Sequence, residues 1–139
     1  MELRTAAQIA SDPKFVAVQE RGTPAVGGIC VDILRALEKT DPEMKFTGDQ
    51  NWQPLVRMEA GMASGDIDVI CGLLRTKARE ARYTYIEPPL FPVTYHLVVR
   101  ADDDVQINSW DDVRALGVHG VVLVNNGFGI IDRLESTAG

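Results

Sequence analysis

An α/β fold with a parallel sheet built as βαβαβ follows from three features of the sequence. Short β-prone stretches alternate with helical ones as far as Cys71. The stretch ICVDILRALEK repeats Ile29, Ile33, Leu34 and Leu37 at helical spacing behind Gly27-Gly28, and Asp41-Pro42 supplies a stop. The strand-like Asp66–Cys71 then breaks at Gly72 and leads into Arg75, Lys77, Arg79 and Arg82, a cationic run on an acidic chain. A strand, a glycine, a polar turn and a short helix together can aim backbone N–H groups and a cation at a bound anion.

Composition narrows the function classes. The chain has 139 residues, 45% hydrophobic and 24% charged, which suits one domain or slightly more with a real core. A net charge of −6 argues against a nucleic-acid backbone as partner. No stretch approaches the roughly 20 apolar residues of a membrane span. MELRTAAQIASD lacks the basic start and apolar core of a signal peptide, so the chain is expected to be either cytosolic or relieved of its signal. Two cysteines and two histidines, Cys30, Cys71, His96 and His119, have no metal-ligand spacing, and neither a metal nor a cofactor is expected.

Taken in order, Glu2–Ala7 reads as the first strand, Phe15–Gln19 as a further short one, and Arg21-Gly22-Thr23-Pro24 as a turn. The helix after Gly27-Gly28 could hold a phosphate at its start, or the glycines could simply make a tight turn, for no G-x-G-x-x-G is present. Met44–Thr47 is the second strand of the sheet. A second helix is expected over Trp52–Ser64, with Asn51 as N-cap and Gly65 after its end. Leu55, Met58, Met62 and Ala63 would face the sheet. Trp52 would lie at the ligand edge, as a stacking surface or as a lid on the core.

Asp66–Cys71 is the third strand. Thr76 caps a short helix through Ala81 and puts Arg79 in its first turn, where a cation opposes the helix dipole. An anion bound by the planar guanidinium fork would account for that placement; a surface ion pair with Glu80 or Glu87 would account for it too. Tyr83–Ile86 is extended up to Glu87-Pro88-Pro89. Val93–Arg100 is a strand by propensity, carrying His96 as a structural histidine or a base. After the acidic turn at Asp102-Asp103-Asp104, Ser109 caps a helix with Asp111 and Asp112 in its first turn, and Gly117 ends it. Val121–Val124 reads as a strand, Asn125-Asn126-Gly127 as a turn and Phe128–Glu135 as a helix.

GGICVDILRAL, NWQPLVRMEAGMASGDIDV, LLRTKAREARYTYIEPPLF and INSWDDVRALG resemble, in order and spacing, the family-3 extracellular solute-binding proteins of amino-acid ABC importers. The resemblance implies a periplasmic-binding-protein-like lobe over residues 1–98, then a hinge crossing and the start of a second lobe over 99–139. Family members continue through the second lobe and return to complete the first, so it also implies a chain cut short. It implies periplasmic or extracellular function, a two-lobed clamp, an amino acid or related organic acid as ligand, and ABC transporter membrane subunits as partners. Self-association of the shortened chain is a further expectation.

Residue by residue, Arg79 matches the arginine that holds a ligand carboxylate, and Gly72 the carbonyl that takes its ammonium. Trp52 and Phe15 fall near aromatic positions against the ligand, and Asn126, Gly127 and Phe128 where the second lobe offers a helix start. Leu74 departs from the pattern by replacing a hydroxyl, and Arg75 by adding a second cation; both leave room for an organic acid other than an α-amino acid. In this topology Cys30 and Cys71 are neighbours, so a disulfide is geometrically feasible. Two further readings share the fold: a ligand-sensing domain of a signalling receptor, and a cyclohexadienyl-dehydratase-like enzyme, for whose general acid Glu87 and His96 are the candidates.

Overall fold

A computed structural model describes residues 1–125 and 127–138. It is a mixed α/β structure with small parallel and antiparallel sheets. The chain forms two compact units, Met1–Leu73 and Leu74–Gly139.

In the first unit, β1 (Glu2–Arg4) pairs in parallel with β5 (Lys45–Thr47), and β2 (Ala7–Gln8) pairs in parallel with β6 (Trp52–Gln53). The expected first strand is thus divided in two. Its partner stretch loops out between the two pairings through a turn in which Asn51 N–H donates to the Gly48 carbonyl, at 2.9 Å. Between them, β3 (Val16–Glu20) and β4 (Thr23–Gly27) form an antiparallel hairpin. Positive φ at both Arg21 and Gly22 gives the tight reverse turn that suits strand twist. The turn is therefore narrower than expected, and Thr23 and Pro24 belong to a strand the sequence did not reveal.

Helix α1 (Ile29–Thr40) follows the apolar period and buries Cys30 and Leu34, while Ile29 and Leu37 at the edges of the stripe stay exposed. Its first-turn N–H groups are already engaged: Ile29 donates to the Pro13 carbonyl and Cys30 to the Lys14 carbonyl, at 3.1 and 3.0 Å. A Cβ on Gly28 would stand 2.5 Å from that Lys14 oxygen. The glycine pair serves a close backbone approach, and the phosphate alternative falls away.

Helix α2 (Leu55–Ser64) starts later than expected. Pro54, in extended conformation, is the N-cap in place of Asn51, and Trp52 lies in β6. A residue preceding proline is pushed away from helical ψ, which keeps Gln53 in the strand. Gly65 ends the helix in the left-handed region, as expected. Leu55 and Met58 are buried and Met62 half-buried, whereas Ala63 is exposed and does not face the sheet.

The expected third strand, Asp66–Cys71, forms no ladder. The Asp68 and Val69 N–H groups both turn to one oxygen, the Arg4 carbonyl, and the Arg4 N–H is taken by the Asp68 carboxylate at 2.9 Å. A side chain occupies the position a strand carbonyl would need. Two apolar clusters complete the unit: Ala7, Phe15, Val26, Cys30 and Cys71, and Ala6, Met58 and Ile67. Cys30 and Cys71 are joined by a disulfide across a Cα–Cα distance of 5.9 Å.

The Arg4 guanidinium also donates to Asp68, and these bonds hold the Asp68 carboxyl down at about 2, side-chain bond first and backbone bond second. A carboxylate depressed in the fold adds stability above its unfolded value of about 3.9, and that contribution is lost as pH falls toward the folded value. The urea midpoint should therefore drop between about pH 4 and pH 2. Asp68→Asn should flatten that part of the profile while lowering stability at neutral pH. An unchanged acid limb in the variant would show that Asp68 does not contribute.

In the second unit, Lys77–Glu80 forms α3, Trp110–Ala115 forms α4, and Ile130–Ala138 forms α5, with a 3-10 turn at Gly117–His119. Thr76 caps α3 as expected. Ser109 and Asp112 make a reciprocal capping box on α4, and Arg114 reaches the Thr137 carbonyl of α5 at 2.6 Å. Helix α5 begins two positions later than expected. The two stretches expected to be strands, Val93–Arg100 and Val121–Val124, form no strand and pair with nothing among the described residues. His96 is exposed rather than packed inside. Val113 is the buried apolar side chain among the described residues of this unit.

Candidate functional site

Arg79 is the centre of a polar cluster inside the second unit. It is 4% exposed, although it stands in a helix of one turn. Nη1 donates to the Leu74 carbonyl at 3.1 Å and Nη2 to the Gly127 carbonyl at 2.7 Å. The hydroxyl of Tyr85 donates to the same Leu74 oxygen at 2.9 Å. Below the guanidinium, the Arg79 N–H reaches the Thr76 hydroxyl, so the cap that starts α3 also fixes the base of the side chain.

Gly127, at positive φ, and Gly129 bring the backbone before α5 against this cluster. A Cβ on Gly129 would lie 2.8 Å from Leu74 Cδ2, 2.9 Å from Arg79 Nη1 and 3.2 Å from Thr76 Cγ2. The guanidinium is thus packed from one side by glycine backbone and oriented by carbonyl dipoles. Gly129→Ala is expected to displace the Arg79 fork while leaving α1 and α2 intact. Loss of the Arg79–Gly127 contact by NMR, with native helical circular dichroism, would check it.

The alternative of a surface ion pair with Glu80 and Glu87 is realised by a different arginine. Arg75 donates through Nε to Glu80 at 2.6 Å, pairs through Nη1 with Glu87, and lies 5.3 Å from the Tyr85 ring centroid. Both acids raise its already high pKa, Glu80 more than Glu87. All three charged groups are half-exposed, so this network screens readily and tethers the 80–87 stretch only weakly. Arg75 is a brace here, with its fork turned to acids of its own unit.

Of the other sequence-predicted residues, Gly72, Phe15 and Trp52 fall in the first unit. The Gly72 carbonyl accepts from the Lys14 ammonium at 3.1 Å, and Gln8 Oε1 accepts from the same ammonium at 2.8 Å. A cation therefore does sit at the Gly72 oxygen, supplied by the chain itself. Phe15 is fully buried among Ala7, Val26 and the disulfide; it is a core residue and presents no face to a ligand. Trp52 is 40% exposed in β6, with a free ring surface rather than a lid position on the core. Asn126 lies outside the described residues. Leu74 and Gly127 meet Arg79, but through their carbonyls.

Lys14, Gln8, Tyr85 and Gly129 were not singled out by the sequence. Lys14 stands next to Phe15 in the first loop, and Gly127 and Gly129 precede α5 as Gly27 and Gly28 precede α1. Among the described residues no group of His, Cys, Asp and Glu could hold a metal ion. A cavity of about 340 Å³ in the second unit is lined by Leu97, Val99, Arg100 and neighbours up to Ile107, and none of the expected site residues lines it. No helix among the described residues is long and apolar enough to cross a membrane. No family model, no curated protein and no solved structure matches the chain.

Proposed function

We propose that this chain is the ligand-binding part of an importer's solute-binding protein, and that it captures a small carboxylate-bearing solute through Arg79. The observation that carries this reading is a nearly buried guanidinium held by two backbone carbonyls and packed by glycine. A planar guanidinium fork fixed by backbone carbonyls suits a carboxylate, which it can bind with two parallel hydrogen bonds. The same resemblance that places an arginine here implies ABC transporter subunits as partners and a two-lobed clamp that closes over the ligand. The Cys30–Cys71 disulfide is in keeping with an oxidising, extracytoplasmic setting.

Leu74, which puts an apolar side chain where a hydroxyl would meet a ligand, and Arg75, a second cation, favour an organic acid over an α-amino acid. The test is a thermal-shift panel pairing α-amino acids with the corresponding acids that lack the amino group. A ligand at 100 times its Kd stabilises by about 2.7 kcal/mol, which moves the midpoint by several degrees. A shift with organic acids and little with amino acids is the expected outcome. Silence across all carboxylates, or shifts confined to uncharged or cationic solutes, would overturn the reading.

A further inference from the structure

We propose that Val93–Val99 is a strand-pairing edge that joins two copies of this chain, antiparallel and centred on His96. This stretch forms neither helix nor strand, and its backbone N–H and C=O groups have no hydrogen-bond partner among the described residues. Its apolar side chains are not buried either: Val93, Tyr95, Leu97 and Val99 are 44–50% exposed. One surface thus lacks both backbone partners and apolar cover, and a β-strand is the occupant that supplies both at once.

The sequence of the segment points to a second copy as that strand. Alternate side chains of an extended chain share a face, so Val93, Tyr95, Leu97 and Val99 form one apolar row and Thr94, His96 and Val98 the other. The row Val, Tyr, Leu, Val is closely symmetric about His96. An antiparallel pair with His96 facing His96 sets Val93 against Val99, Tyr95 against Leu97 and Thr94 against Val98. Each match stays on one face; Val93–Val99 and Thr94–Val98 set β-branched residues against each other and Tyr95–Leu97 sets an aromatic ring against an aliphatic side chain, pairs that stabilise a ladder. No two charged side chains oppose each other within this register.

Both ends of the segment limit pairing to this window. Pro92 has no N–H to give a ladder. At the other end Asp103 N–H donates to the Arg100 carbonyl at 3.0 Å, which bends the chain into the acidic turn. A register centred one residue later would draw Ala101 out of that turn. The interface is small, so the association is expected to be reversible and concentration-dependent.

Single cysteines read the register directly, since both native cysteines are in the disulfide. Residues opposed across an antiparallel pair have Cα atoms about 4.5–5.5 Å apart, within disulfide reach. His96→Cys should therefore cross-link to itself under mild oxidation. Thr94→Cys should not, because its opposite number is Val98 and the two Thr94 positions are about 13 Å apart along the strands. A mixture of Thr94→Cys and Val98→Cys should cross-link. Sedimentation of the unmodified protein should show dimer growing with concentration, and Leu97→Pro should hold it as monomer. Monomer at every concentration would overturn the proposal, as would Thr94→Cys linking to itself as fast as His96→Cys.

Discussion

Replacing Cys30 and Cys71 together by alanine is expected to lower the unfolding free energy of this protein by about 3–4 kcal/mol. The bridge spans a sequence separation of 41 residues, and a closed loop of that size removes much of the freedom of the unfolded chain. Both sulfurs also belong to the apolar cluster of Ala7, Phe15 and Val26, so the substitution opens space beside a fully buried Phe15. Folded domains are stable by only about 5–15 kcal/mol, and a loss of this size removes a large part of that margin. The consequence extends beyond stability. The bridge ties the start of α1 to the residue before Gly72, so it also holds the Gly72 carbonyl where Lys14 reaches it. The urea midpoint of the double variant and that of the reduced native protein should fall together. A change below about 1 kcal/mol in both would show that packing, not the cross-link, organises this cluster.

The parts of this fold that the sequence announced are those whose cause is local. Helix α1 followed from apolar spacing, the end of α2 from Gly65, and the starts of α3 and α4 from Thr76 and Ser109; each signal lies within a few residues of its effect. The parts it misplaced depend on distant partners. Val93–Arg100 and Val121–Val124 have strand-forming side chains, but a strand exists only where another edge accepts its backbone. Asp66–Cys71 failed as a strand because the Asp68 carboxylate took the N–H of Arg4, 64 residues away in sequence. The start of α2 was legible after all, in the proline after Trp52-Gln53. The candidate site divides the same way. Spacing puts Arg75 and Arg79 on one short stretch but does not say which of them takes Glu80 and Glu87; only the packing of Gly127 and Gly129 makes Arg79 the buried one.

Arg79→Ala is expected to abolish carboxylate binding, with a loss of at least about 100-fold in affinity, because a charged hydrogen-bond pair removed from a sheltered site leaves its partner uncompensated. Some destabilisation will accompany it. The Gly127 carbonyl loses its Arg79 donor while the Leu74 carbonyl keeps the Tyr85 hydroxyl, and a sheltered acceptor left unpaired costs about 1–3 kcal/mol. Arg79→Lys separates the two effects. Lysine keeps the charge but offers a point cation in place of a planar fork, so it cannot serve two carbonyls and a bidentate carboxylate with the same geometry. Its expected affinity lies between the wild type and the alanine variant, about tenfold below the former. Calorimetric titration of each variant with whichever acid gives the largest thermal shift supplies the comparison. Circular dichroism would establish that α1 and α2, which lie in the first unit, remain folded. If Arg79→Ala binds within a few fold of wild type, the guanidinium is a structural tie between Leu74 and Gly127, and the ligand anchor lies elsewhere.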